Sequence, residues 1–269
     1  MNINLIRQIE DRAARAWPPE VEEELDGWRL RYSQGVTRRG NSVYPNYLDG
    51  DTPLEERLEK VEAFYANREA PIYYQLCPAA LPPNLDHILE QRGYTSDAFT
   101  QVQTVPLQDA LKKTDIGENQ RFSLKKNQRF FNQTDFQLEI ADDKSTAWFA
   151  AYRQAEGFDD HSAAVRQATI QHIAQPKALA IAESDGHPAA IGLGVCDSGW
   201  VGIFCMVTLP KYRRRGAATT VLHAIAAWGH EQGAQDMYLQ VMKNNAPALG
   251  LYAKAGFGKL YGYHYRTRS

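Results

Sequence analysis

The residues with the clearest chemical capacity lie at 212–218, reading YRRRGAA. An apolar run, Val201 to Val207, precedes them, and an amphipathic run, Thr219 to Gln232, follows. The pattern is strand, tight basic loop, helix, with Gly216, Ala217 and Ala218 at the helix start. The first turn of a helix leaves backbone N–H groups without partners, and the helix dipole favours an anion there. Small residues let a phosphate come close to those amides. Arg213, Arg214 and Arg215 add charge and forked donors. With Lys211 there are four cations in five residues, which also fits a solvated turn or a nucleic-acid patch. The loop alone does not separate these readings.

A second set of residues follows at Asn245, Ala248, Leu251, Tyr252, Gly256 and Phe257, with Tyr252 about 35–40 positions past the loop. Helical spacing puts Tyr252 on one face with Ala248 and Leu251, which reads as core.

Composition narrows the field. The 269 residues suffice for one large core or two modest ones, and 43% apolar and 23% charged residues are ordinary globular values. With a net charge of −2, no bulk field favours nucleic acid, so the cations at 211–215 are a local feature. Cys77, Cys196 and Cys205 are far apart and each lies in an apolar stretch. They predict core packing in a reducing compartment and no metal site. The N-terminus, MNINLIRQIEDRAARAW, is an amphipathic helix without the apolar segment of a signal peptide, and no run of 18 apolar residues occurs. The expectation is a cytoplasmic protein without a membrane or nucleic-acid partner. Nothing in the sequence sets an oligomeric state.

The elements that must position these residues fall into two halves. In the first, residues 1–114, the periodicity predicts an N-terminal helix, strands over 27–32 and 37–44, a helix over 54–67, a strand over 71–77, a short helix over 83–91 closed by Gly93-Tyr94, and a strand over 100–106. Residues 115–134 are polar and mildly basic and read as a linker. In the second half, 135–269, the order is β-α-α-β-β-β-α-β-α-β, a mixed α/β sequence. A weak repeat links the halves. Helix 54–67, strand 71–77, helix 83–91 and Gly93-Tyr94 parallel helix 216–232, strand 237–241, helix 246–254 and Gly256-Phe257. The first copy has Gly50-Asp51-Thr52-Pro53 where the second has its arginines. An acidic loop repels a pyrophosphate, so the first copy is expected to lack the site.

The second half resembles the GNAT superfamily of acyl-CoA-dependent N-acyltransferases. Arg213-x-x-Gly216-x-Ala218, preceded by Pro210 and Tyr212, is similar to that family's phosphate loop. The Asn245-to-Phe257 set is similar to its second signature. The resemblance implies a central mixed α/β sheet flanked by helices and, with the repeat, a tandem arrangement whose N-terminal GNAT-like domain is degenerate. It implies acetyl-CoA as co-substrate. The strand end at Met206, Val207 and Thr208 would splay from its neighbour and pair with the pantetheine arm. Arg213 to Ala218 would hold the pyrophosphate, Asn245 would contact the cofactor, and Tyr252 would protonate the leaving thiolate.

The family's usual glutamate on the central strand is missing, since WVGIFCMV at 200–207 carries no acid. Asp159, Asp160, His161 and His264 are candidate bases. Asp159 or Asp160 equally reads as a helix cap, and deprotonation through water needs no dedicated base. The implied activity is acetyl transfer to a primary amine of a small molecule. A protein lysine or N-terminus is the alternative acceptor, and a non-catalytic acyl-CoA sensor the alternative class.

Overall fold

The computed structural model describes residues 1–114, 129–131, 136–141 and 144–268. Most of the expected linker, 115–128 and 132–134, lies outside the described residues. Two compact units divide the chain, one of 1–101 with 261–269 and one of 102–260. This differs from the division expected at 115–134. The chain passes from unit to unit inside two long strands, whose ladders hold each part of the strand in its own unit.

The first unit opens with α1 (Ile3–Arg15), capped by the Asn2 side chain on the Leu5 amide. β1 (Val21–Leu25) and β2 (Trp28–Tyr32) form a hairpin whose two loop residues, Asp26 and Gly27, both have positive φ, as a tight hairpin requires. The strand expected at 37–44 shrinks to β3 (Val43–Tyr44). Asn41 prevents more: its side chain bonds the Ser33 and Gly35 amides and the Val36 and Thr37 carbonyls, holding the segment as a loop. The helix α2 (Leu54–Ala66) crosses over to β4 (Ile72–Leu76), which runs parallel to β3. The short α3 (Leu85–Gln91) leads into β5 (Thr95–Pro106). The apolar cluster under α2 contains Trp28, Leu30, Val43, Leu58, Val61 and Tyr74.

The second unit takes over within β5 and continues through α4 (Leu107–Thr114), β6 (Arg129–Phe131) and β7 (Gln137–Ala141). Two helices follow, α5 (Thr146–Glu156) and α6 (Asp160–Gln171). The meander β8 (Lys177–Ser184), β9 (His187–Asp197) and β10 (Trp200–Thr208) is antiparallel throughout. After α7 (Ala217–Glu231), β11 (Asp236–Met242) returns parallel to β10. The chain then forms α8 (Ala246–Lys254) and β12 (Gly258–Arg268), whose final residues pair antiparallel with β4 in the first unit. The sheet order of the second unit is β5-β11-β10-β9-β8-β7-β6. The helix α7 lies close on this sheet because Gly192 has no side chain, and a Cβ there would meet Met206, Val221 and Ile225 at 2.5–3.0 Å.

The repeat is legible in the backbone. Each copy has a parallel strand pair joined by a helix, β3-α2-β4 and β10-α7-β11, then a short helix and a strand. Both short helices end on a left-handed glycine, Gly93 (φ 83°) and Gly256 (φ 91°). The next amide reaches five residues back in both, Tyr94 to the Leu89 carbonyl and Phe257 to the Tyr252 carbonyl, each at 3.0 Å.

Candidate active site

The β10 strand is held on both edges only over its first half. Its ladder to β11 runs from Trp200↔Asp236 to Ile203↔Leu239 and stops there, although both strands continue. A bulge marks the break. The register against β9 shifts between Phe204 and Val207, and Cys205 adopts φ +50°, uncommon for a residue with a side chain. Val207 and Thr208 stay paired to Ile191 and Ala190 of β9. On the β11 side the edge past Ile203 has no ladder rungs, which is the divergence expected at Met206 to Thr208. An unpaired strand edge is the place for an extended ligand arm to add itself.

The basic loop begins where β10 ends. Pro210–Tyr212 is a single 3-10 turn with Tyr212 buried against Phe136. Arg215 lies over both rings at 5.8 Å, and Arg213 Nε donates to the Thr208 carbonyl at 3.3 Å. The loop reaches the helix through Arg214 (φ +61°) and Gly216 (φ +93°), the second in a conformation glycine alone adopts without strain. No side chain caps α7, and its first turn holds no acid. The three arginines and Gly216 are exposed, whereas Ala217 is buried and anchors the turn. An uncapped helix start beside three guanidinium groups is chemically fitted to a pyrophosphate.

Asn245 is the N-cap of α8, its side-chain oxygen accepting from the Ala248 amide at 3.2 Å. That occupies the acceptor and leaves the side-chain NH2 to donate. Tyr252 is buried, edge-on to Phe257 at 5.8 Å, and burial pushes its hydroxyl up to about 12. It therefore keeps its proton throughout the neutral range. Met206, Tyr212, Ala217, Ala248, Leu251 and Tyr252 belong to one apolar cluster, so strand end, loop and α8 share a core.

The four candidate bases have partners or settings of their own. Asp159 caps α6 by accepting from the Ser162 amide at 2.7 Å, which lowers its carboxyl below the usual value. Asp160 pairs with Arg153 at 2.6 Å, and His161 is exposed. His264 is in the first unit, 3.0 Å from Asp86 and stacked on Phe99. Sequence reasoning missed Tyr152 of α5, whose hydroxyl meets the Cys205 thiol within the bulge. Apolar periodicity marks Tyr152 only as a buried face of α5, and no local pattern announces a bulge. Among the described residues no group of three or more His, Cys, Asp or Glu side chains is arranged to hold a metal, and no helix is long and apolar enough to cross a membrane.

Residues 4–268 match the family described as "Probable histone acetyltransferase Rv0428c C-terminal". The uncharacterized N-acetyltransferase YobR of Bacillus subtilis is 28% identical over 267 residues, covering 98% of each chain. Two solved structures share the fold. A GCN5-related N-acetyltransferase from Kribbella flavida has a TM-score of 0.65 at 14% identity, over 97% of this chain and 94% of that one. A tandem GNAT protein from the clavulanic acid biosynthesis pathway has 0.62 at 11%, over 97% and 87%. The chain belongs to the Rv0428c C-terminal acetyltransferase family, within the GNAT superfamily.

Proposed function

From a GNAT N-acetyltransferase with this geometry, we propose direct transfer of the acetyl group of acetyl-CoA to a primary amine of a small molecule. The observation that carries the reading is the conjunction, in one unit, of an unpaired β10 edge and an uncapped, arginine-flanked α7 start. The α7 amides and Arg213 to Arg215 bind the pyrophosphate. The main chain of Met206 to Thr208 aligns the pantetheine arm, and the Asn245 NH2 donates to the cofactor. Nitrogen then bonds to the acetyl carbon as the carbon–sulfur bond breaks, the amine gives a proton to water, and the thiolate takes one from Tyr252.

The missing base bears on the acceptor. At pH 7, deprotonating a lysine-like amine costs about 4–5 kcal/mol, against about 1 kcal/mol for an α-amino group. Asp159 and Asp160 are engaged elsewhere. An amine of low pKa needs the least help, which supports an α-amino-type small molecule. A protein lysine or N-terminus is the second reading, favoured by the histone acetyltransferase description of the family. Thiol release from acetyl-CoA, followed over a panel of amines, amino acids and peptides, tests the proposal. Release with small amines is the expected result. Release with peptides alone transfers the activity to the second reading. Tight acetyl-CoA binding with no release for any acceptor identifies a sensor and overturns both.

A further inference from the structure

Gln240 stands one residue past Leu239, the last rung between β11 and β10. Along β11, Met237, Leu239 and Val241 enter the core that contains α7, whereas Tyr238 points to the other face, edge-on to Phe204 at 6.1 Å. Alternation puts Gln240 and Met242 on the Tyr238 face. Both are therefore at the divergence of the strands, and Met242 is a large apolar side chain left 42% exposed. The amide oxygen and nitrogen of Gln240 are both buried, and neither has a hydrogen-bond partner. Among the described residues it is the one side-chain amide with both its oxygen and its nitrogen orphaned. Proteins seldom leave an amide so, because burial strips its water and returns nothing. Such a group, where two strands open, is a contact awaiting a ligand.

We propose that Gln240 is a substrate-contacting residue that selects for an N–H-bearing nucleophile. Its side-chain carbonyl accepts a hydrogen bond from the incoming primary amine and turns the nitrogen lone pair toward the acetyl carbon. Gln240 takes no proton, so it orients the amine without serving as the base. The inference rests on the acyl transfer proposed above.

Gln240→Met keeps the length and nearly the shape of the side chain and removes the amide. Three readouts separate the outcomes. The melting midpoint of the ligand-free variant is expected to rise by about 2–4 °C, because an unpartnered buried amide has been removed. The Kd for acetyl-CoA is expected to stay within about 2-fold. For the best amine of the panel, kcat/KM is expected to fall at least about 10-fold, mostly through KM, with partial recovery in Gln240→Asn. Unchanged kcat/KM overturns the proposal. So does a fall accompanied by a lower midpoint and weaker acetyl-CoA binding, which describes a structural residue. If the wild type releases thiol with no amine, the acyl-transfer reading has failed. The midpoint then decides about Gln240 alone, and a value unchanged or lowered overturns the orphaned contact.

Discussion

Helices α2 and α7 have the same place in the two copies and opposite chemistry at their first turns. At α2 the chain supplies its own anions. The Asp26 carboxylate accepts from the Thr52 amide at 3.2 Å and from the buried Arg57 at 3.4 Å, and Glu55 and Glu56 lie in the first turn. Glu55 is paired with Arg92, and Glu56 with Lys60 at 2.8 Å. At α7 there is no capping side chain and no acid, only exposed arginines and a glycine. The contrast separates scaffold from candidate site. A parallel strand pair with a crossover helix always aims helix amides at one end of the sheet, and an anion site appears only where the chain leaves them unfilled.

The sharpest way to break this contrast is to give α7 the first turn of α2. Ala218→Glu with Thr219→Glu reproduces the positions of Glu55 and Glu56 relative to the helix start. Two carboxylates there compete with the pyrophosphate for the same amides. The Kd for acetyl-CoA, by calorimetry, is expected to rise about 1000-fold, or about 4 kcal/mol. The melting midpoint is expected to hold or rise, since acids suit a helix start. Full affinity in this variant would remove the α7 start from the site.

The local geometry of the candidate site was more legible in the sequence than the tertiary frame was. The turn at Gly216 and Ala217 and the arginines before it are features of local backbone and residue type, which the sequence records directly. The same holds for Asn245 and Gly256, one a cap and the other a left-handed stop. The unit boundaries were hidden because they depend on long-range pairing: Tyr265 joins β4 opposite Gln75, 190 residues away. Strand β1 was missed because Glu22, Glu23 and Glu24 read as a solvated run, although pairing on one side suffices at an edge. Gln240 is an ordinary strand residue until the ladder is known to end at Leu239.

The contrast extends inward. The second unit exposes its charged groups at the loop, whereas the first seals a carboxyl inside. Glu10 is fully buried, taking hydrogen bonds from Gln75 at 2.6 Å and from the Tyr261 hydroxyl at 2.5 Å. Burial raises it from 4.5 to about 7 against the opposing pull of Tyr261, Arg29 and Arg39. The folded state thus holds the proton more tightly than the unfolded chain does. The contribution of Glu10 to stability is greatest below pH 4.5 and falls as pH climbs to about 7, by on the order of 3 kcal/mol. Glu10→Gln mimics the protonated form, the Tyr261 hydroxyl turning to accept. Denaturant midpoints at pH 4.5, 6 and 8 are expected to fall for the wild type and to lose that slope in the variant. Parallel slopes would mean that Glu10 titrates normally.

The two short helices sharpen the comparison at the reacting end. They share the glycine stop and the backbone hydrogen bond behind it, yet Leu89 stands where the second copy has Tyr252. If the hydroxyl is the functional difference, Tyr252→Phe lowers kcat about 10–100-fold with acetyl-CoA affinity unchanged. Steady-state thiol release with matched calorimetry reads both numbers, and an unaltered kcat would return Tyr252 to the role of Leu89, plain core.

The smallest effect is expected at Asp26, where the first copy satisfies its own helix start. The Thr52 contacts, chiefly, and the Arg57 guanidinium hold this carboxyl below its usual 3.8. Its contribution is therefore present above that value and lost as pH falls below it. Asp26→Asn keeps an acceptor for the Thr52 amide but drops the charge facing Arg57. The midpoint at pH 7 is expected to fall by about 1–3 °C, and the gap to the wild type to close toward pH 3. Acetyl-CoA stoichiometry is expected to stay at one per chain, because removing an anion from α2 does not supply the arginines that α7 has. A second equivalent bound by Asp26→Asn would show that the acid alone separated the two helix starts, and that the arginines were secondary.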